Sequence, residues 1–193
     1  MLALSSVLLI KVALLLLCVV RYTPFQKTTM SKKEHPKFDE TGYLKINENH
    51  LMVFLHSDGF TERLLGLDLF VTKSYEIEVY LKCFKKGNSY GDFKTEFVTK
   101  KVPKEIITFL NQLSEIDNAD FGFNKKKKGM LDRASQKFLF NDQGKTLGFY
   151  ISGGMTINLK DFKTELGKGF FVLYQFLDEW KEKLYEDFNK SDD

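Results

Sequence analysis

The sequence predicts an α+β domain: a mainly antiparallel sheet of five or six strands with two helices on one face, preceded by an N-terminal apolar helix. Three observations predict this fold. Apolar and charged residues alternate along Tyr75–Phe84, which indicates a strand with one buried face. Pro103–Ile116 and Gly169–Phe188 repeat apolar residues at spacings of three and four, typical of amphipathic helices. Asn141-Asp142-Gln143-Gly144 is a turn signal between two apolar runs.

The strands are short apolar runs bounded by turn residues. In the clearest one, Ile77, Val79, Leu81 and Cys83 share a face, and charged residues occupy much of the other. The apolar run Leu64–Thr72 has mixed periodicity, and we interpret its centre as a strand. In chain order the predicted strands are Tyr43–Ile46, Leu51–Leu55, Leu67–Val71, Tyr75–Phe84, Lys94–Val102, Phe138–Phe140 and Leu147–Ile151.

Two helices follow from the apolar spacing. Pro103 stands in the first turn, where its missing N–H has no partner to lose. The second helix is long enough to lie across the sheet, with charged residues, Lys181 among them, assigned to its solvent side. The predicted apolar stripes are Ile106, Ile107, Leu110, Leu113 and Ile116 in the first helix, and Phe170, Leu173, Tyr174, Leu177, Trp180, Leu184 and Phe188 in the second.

The composition is that of a globular domain. Hydrophobic residues make up 43% of the 193 residues and charged residues 28%. Residues 22–193 contain all 26 acidic side chains and all but two of the 29 basic ones, so this part of the chain is close to neutral. Such a balance argues against a nucleic-acid partner, because nucleic-acid binding requires a basic excess. Neither the composition nor the motifs indicate an oligomeric state.

The N-terminal segment, residues 1–21, predicts a membrane anchor or a signal. Its apolar run is about as long as a bilayer is thick, and Lys11 is the one charge within it. Val12–Val20 also has the length of a signal-peptide core, but no small-x-small cleavage triplet follows it. We therefore favour an uncleaved anchor. A third interpretation starts translation at Met30 and gives a cytoplasmic protein.

The predicted organisation places a polar linker at 22–42, a single α+β domain at 43–188 and an acidic tail at 189–193. The basic residues that follow the anchor favour a cytoplasmic domain by the positive-inside rule, whereas a cleaved signal would make the domain secreted. The side of the membrane stays undecided.

The residue types that commonly serve in catalysis or metal binding give little indication of a site. The chain has two cysteines, Cys18 and Cys83, which excludes a cysteine-based zinc site and a disulfide scaffold; Cys83 is expected to be a buried apolar residue. His50 and His56 share strand parity but stand about 20 Å apart, too far for one metal ion. We find no nucleophile elbow, phosphate loop or zinc-protease motif, and expect neither a cofactor nor a metal.

The one conspicuous charge cluster is Lys125, Lys126, Lys127 and Lys128 in a predicted loop. These lysines suit contact with anionic lipid head groups or an acidic protein patch, although a solvated loop tip is the simpler interpretation. The predicted function is a non-catalytic, membrane-tethered protein-interaction module, such as an envelope-complex subunit or a partner-neutralising protein. The alternative is a hydrolase or transferase whose carboxylates, such as Asp58, Glu62 and Asp68, assemble in three dimensions.

Overall fold

The computed structural model describes residues 36–58, 64–84, 93–94, 97–99, 101–124, 134–153 and 155–190. It confirms an α+β fold with an antiparallel sheet and two helices. The predicted N-terminal apolar helix lies outside these residues. In chain order the elements are β1 (Lys37–Phe38), β2 (Leu44–Lys45), β3 (His50–Ser57), β4 (Leu64–Thr72), β5 (Ile77–Phe84), β6 (Phe93–Lys94), β7 (Phe97–Thr99), α1 (Lys104–Ser114), β8 (Ser135–Asp142), β9 (Lys145–Ile151) and α2 (Glu165–Lys190).

Five long strands form the main sheet in the order β5-β4-β3-β8-β9, and every pairing is antiparallel. The short strands β6 and β7 both pair with β5. They fall on the predicted strand Lys94–Val102, of which Lys94 and Phe97–Thr99 are strand and residues 101–102 are not. β1 and β2 pair as a separate hairpin, and Lys37–Phe38 therefore lies inside the stretch predicted as a linker.

The turn between β8 and β9 follows from its sequence. Gln143 and Gly144 both have positive φ angles, 50° and 89°, as a two-residue hairpin turn requires. The side chain of Asn141 stabilises the turn by accepting a hydrogen bond of 2.9 Å from the Gly144 N–H. The register from Asp142↔Lys145 to Gln136↔Ile151 continues without a shift.

Both helices pack on one face of the sheet. The main core combines the buried residues of α1 and α2 with alternate residues of the long strands, including Phe54, Val79 and Phe138. Cys83 is buried in this core, as expected, and forms no disulfide. Phe109 of α1 is also buried here, although it was left out of the predicted stripe.

Phe170 lies at the centre of the helix-covered core. Its ring centroid is within 6.2 Å of those of six other phenylalanines, which come from both helical regions and from the β8–β9 hairpin: Phe109, Phe121, Phe138, Phe140, Phe149 and Phe162. The unusual phenylalanine content of the sequence is concentrated in this aromatic cluster.

The opposite face of the sheet carries a second, smaller cluster: Ile46, Val53, Phe70, Tyr80 and Leu139, with Leu44 and Leu55 packed against it. A β-bulge between His50 and Met52 changes which face β3 presents. As a result the His50 ring contacts Phe70 of this second face in a tilted arrangement, with the ring centroids 5.2 Å apart, whereas His56 lies on the helix-covered face beside Phe54. The expectation that both histidines could share a face was wrong, because the bulge breaks the parity.

None of the helices in the described parts of the chain combines the length and the apolar character needed to span a bilayer.

Candidate functional site

The residues predicted as binding candidates, Lys125–Lys128, lie outside the described residues, and the same holds for Glu62. The other two candidate carboxylates do not come together. Asp58 follows β3 on the helix-covered side, where its Oδ1 is 3.7 Å from Nε2 of His56. Asp68 pairs with Leu55 and Tyr80 across the sheet and shares the opposite face with them.

An exposed aromatic corner lies where the β1–β2 hairpin meets β9. Phe38 and Tyr43 are each 70% exposed, and Tyr150 is 45% exposed. Large aromatic side chains are normally buried, and groups of them left in solvent mark interaction sites. We call Phe38, Tyr43 and Tyr150 the aromatic corner.

Asp39 fixes the shape of the hairpin that carries two of these aromatics. Its Oδ1 accepts hydrogen bonds from the Thr41 N–H at 2.9 Å, the Thr41 hydroxyl at 2.7 Å and the Tyr43 N–H at 2.9 Å. These bonds, that from the Thr41 hydroxyl first, hold the pKa of the Asp39 carboxyl below its ordinary value. The hydrogen bonds of the Asp39 side chain thus stabilise the turn, in a segment whose sequence has no apolar periodicity.

The hairpin packs beside β9, the edge strand of the sheet. The Ile46 N–H donates a hydrogen bond of 3.1 Å to Oγ1 of Thr146, a β9 residue on the same face as Tyr150. Partial burial raises the pKa of Tyr150, and the nearby Asp39 carboxylate raises it further. The effect of Asp39 on Tyr150 shows that the hairpin turn lies close to this end of β9.

A polar cluster lies at the C-terminal end of β3, beneath the C-terminal half of α2, and is buried except for its half-exposed Asp178. It consists of His56, Gln136, Asp178 and Lys181. Lys181 Nζ donates to Asp178 Oδ1 at 2.8 Å and lies 3.5 Å from Glu182 Oε1, while Gln136 Nε2 donates to the same Asp178 oxygen at 3.1 Å. Lys181 is buried, so its predicted place on the solvent side was wrong.

His56 is the anomalous member of the polar cluster. Its side chain is 2% exposed, and neither ring nitrogen has a hydrogen-bond partner. Burial lowers the pKa of His56 from 6.5 to about 4; the positive charge of Lys181 adds to this, and Asp178 opposes it. His56 is therefore neutral at physiological pH, because its surroundings strongly disfavour protonation of the ring.

The described residues contain no group of three or more His, Cys, Asp or Glu side chains placed to hold a metal ion. A surface depression of about 320 Å³ lies between the end of α1 and the β8–β9 turn; it is lined by Asp117, Asn118, Asp142, Gln143 and Lys145. Gln143 and Asp117 bond across it at 3.5 Å, so its polar groups partly satisfy one another.

Comparison with known protein families, with curated proteins and with solved structures finds no significant match to this chain.

The sequence does contain an indication of the polar cluster. Leu177, Lys181 and Leu184 stand at spacings of four and three, so the lysine occupies the apolar stripe itself. Two of the three aromatics of the corner gave no comparable signal. Phe38 lies in the stretch predicted as a polar linker and Tyr43 begins a predicted strand, and neither position indicated that the hairpin would lie near Tyr150.

Proposed function

We propose that this chain is a non-catalytic, membrane-tethered protein-interaction module that binds its partner through the aromatic corner. Residues 1–21 supply the tether in this proposal. The observation that carries it is the exposure of Phe38, Tyr43 and Tyr150 at one corner, on a rigid hairpin and an edge strand. Aromatic side chains lose little conformational entropy on binding and bury a large area, which is why they concentrate at the centres of protein interfaces.

The alternative, a hydrolase or transferase built on carboxylates, gains no support from the described candidates, since Asp58 and Asp68 lie on opposite faces of the sheet. Asp58 has a histidine neighbour, but the ring nitrogens of His56 are buried away from solvent. A general base must reach the proton that it removes.

Site-specific photocrosslinking tests the proposal. A benzoylphenylalanine in place of Tyr43, in the full chain expressed in cells, is expected to give one discrete covalent adduct. The matched control carries the same group in place of Val172, which is 57% exposed on α2. We expect no adduct at that position.

A second variant tests whether the Tyr43 adduct depends on the neighbouring aromatic side chains. Phe38→Ser together with Tyr150→Ser removes the neighbouring aromatics and is expected to abolish the Tyr43 adduct while leaving near-ultraviolet circular dichroism largely unchanged, because both side chains are exposed. Equal adducts at positions 43 and 172, or an adduct that survives the double substitution, would contradict binding at the aromatic corner.

The tether is tested separately. The full chain is expected to remain in the membrane pellet after alkaline extraction, with an intact mass that includes residue 1. A soluble protein that begins at Met30 or Ser31 would refute the tether and leave the crosslinking result to stand on its own.

A further inference from the structure

We propose that the C-terminal half of α2, residues 178–190, is an acid-released latch: protonation of His56 frees it from the sheet while the N-terminal half, residues 165–177, stays packed. This device is independent of the aromatic corner. It rests on three features of the structure: the burial of His56, the charges that face it, and the uneven anchoring of the helix.

While residues 178–190 are packed on the sheet, which we call the closed state, the burial of His56 makes protonation of its ring unfavourable. The ring lies on the helix-covered face of β3, 6.4 Å from the ring of Phe54, and both nitrogens lack hydrogen-bond partners. A protonated ring would have two N–H donors, of which Nδ1–H has no acceptor and Nε2–H has only Asp58 Oδ1 at 3.7 Å, longer than a hydrogen bond. A buried charge without a hydrogen bond is strongly destabilised. Opening of the latch returns the ring to water.

The charged groups that face His56 come from α2 and from the end of β3. α2 contributes Lys181, Asp178 and Glu182, and β3 is followed by Asp58. Tyr174, one turn before Asp178, stays uncharged in the acid range because burial raises its pKa. The neighbouring strands contribute Gln136 from β8 and Leu67 from β4, neither of which titrates.

Lys181 pairs with two of the three neighbouring carboxylates. Its ammonium contacts Asp178 at 2.8 Å and Glu182 at 3.5 Å. Asp58 Oδ1 is 3.7 Å from His56 Nε2, which is longer than a hydrogen bond. A positive charge on His56 would have the partly exposed Asp58 as its remaining counter-charge and would be repelled by Lys181. This repulsion acts across the contact between helix and sheet.

The two halves of α2 are anchored unequally. The N-terminal half buries Leu166, Gly167, Phe170, Leu173 and Leu177, while the described side chains buried in the C-terminal half are Lys181 and Leu184. Trp180 and Tyr185 pack against the core but are only partly buried. Among the side chains that the structure describes, the half above the histidine thus has the weaker apolar attachment.

The direction of the pH effect follows from the proton balance. The closed state holds His56 with a pKa of about 4, and a solvated histidine has its ordinary value of 6.5. The open state binds more protons between these two values, so acid favours opening as the pH falls from 6.5 towards 4. These values give about a 30-fold rise in the open fraction at pH 5 relative to pH 8.

Hydrogen exchange of the full chain, read by mass spectrometry and corrected for the intrinsic pH dependence of exchange, tests the latch. Peptides from residues 178–190 are expected to lose about 30-fold in protection between pH 8 and pH 5. Peptides from residues 165–177 are expected to keep theirs. Unchanged protection of 178–190 at pH 5, or an equal loss in both halves, overturns the proposal.

Variants assign the effect to His56. His56→Gln is expected to abolish the acid-induced loss, whereas His50→Gln, at the other end of the same strand and on the other face, is expected to preserve it. Lys181→Met retains the histidine but removes the repelling charge, so it should reduce the fold-change. If His56→Gln fails to fold at pH 8, the Lys181→Met result decides. An acid response that persists in His56→Gln, or that is unaltered in Lys181→Met, overturns the proposal.

Discussion

The two halves of α2 pack their inward faces against different kinds of side chain. The N-terminal half places Phe170 among six aromatic rings, whose interactions do not depend on protonation. The C-terminal half covers a buried histidine, a glutamine and its own Lys181. A single uninterrupted helix therefore joins a segment packed among aromatic rings to a segment that also covers buried polar groups. Helical continuity does not imply uniform stability along the helix.

The largest effect is expected from truncation at the aromatic cluster. Phe170→Ala should lower the free energy of unfolding by about 3–5 kcal/mol, because it removes a buried ring and leaves a cavity among side chains that cannot collapse fully. Urea unfolding at pH 7.5 measures the loss. Leu184→Ala, the matched truncation in the C-terminal half, is expected to cost about 2 kcal/mol, the lower end for a buried leucine. Equal losses would remove the distinction between the halves.

A smaller effect is expected from a methyl group at the start of the helix. The Cβ in Gly167→Ala would collide with the backbone carbonyl oxygen of Phe121, which has no room to move. We expect a loss of about 1–3 kcal/mol. Gly169→Ala is the matched control: its Cβ meets only the movable end of the Gln112 side chain, and alanine favours the helix by about 1 kcal/mol. Thermal unfolding of the two variants should separate them, and a Gly167→Ala protein as stable as Gly169→Ala would contradict the tight contact.

The smallest effect is expected just before the helix begins. Thr164 Oγ1 accepts the Gly167 N–H at 3.0 Å and donates to the Asp120 carbonyl at 2.8 Å. Thr164→Ala should cost about 1 kcal/mol, as for other residues that cap a helix N-terminus. Thr164→Ser keeps both hydrogen bonds and should stay close to wild type in urea unfolding. A serine variant as unstable as the alanine variant would show that the methyl group, and not the hydroxyl, matters.

The sequence predicted correctly those elements in which the pattern of apolar and polar residues matches the pattern of buried and exposed side chains. In β5, Ile77, Val79 and Leu81 alternate with polar residues and were placed correctly. Tyr80 stands on the opposite face and is also buried, because the second cluster covers part of that face. Alternation shows which face is apolar, but it does not show whether the other face is covered.

The functional candidates were harder to predict, because each depends on contacts between distant segments. Lys181 was assigned to solvent on the strength of its charge, although its spacing from Leu177 and Leu184 indicated the buried stripe. The aromatic corner joins residues about a hundred positions apart. The β-bulge beside His50 left no mark in the residue pattern, and it decided which face that histidine occupies.

The position of β3 at the centre of the sheet has a consequence during synthesis. Its partner β4 follows it directly, but its other partner, β8, is made roughly eighty residues later, as the pairing of Val53 with Leu139 shows. Until then, one edge of β3 has unpaired backbone groups, next to the side chains of Met52 and Phe54, which are fully buried in the finished fold. Such an edge is a template for pairing with other chains. The nascent β3–β4–β5 segment therefore has an edge open to pairing with other chains until the β8–β9 hairpin docks on it.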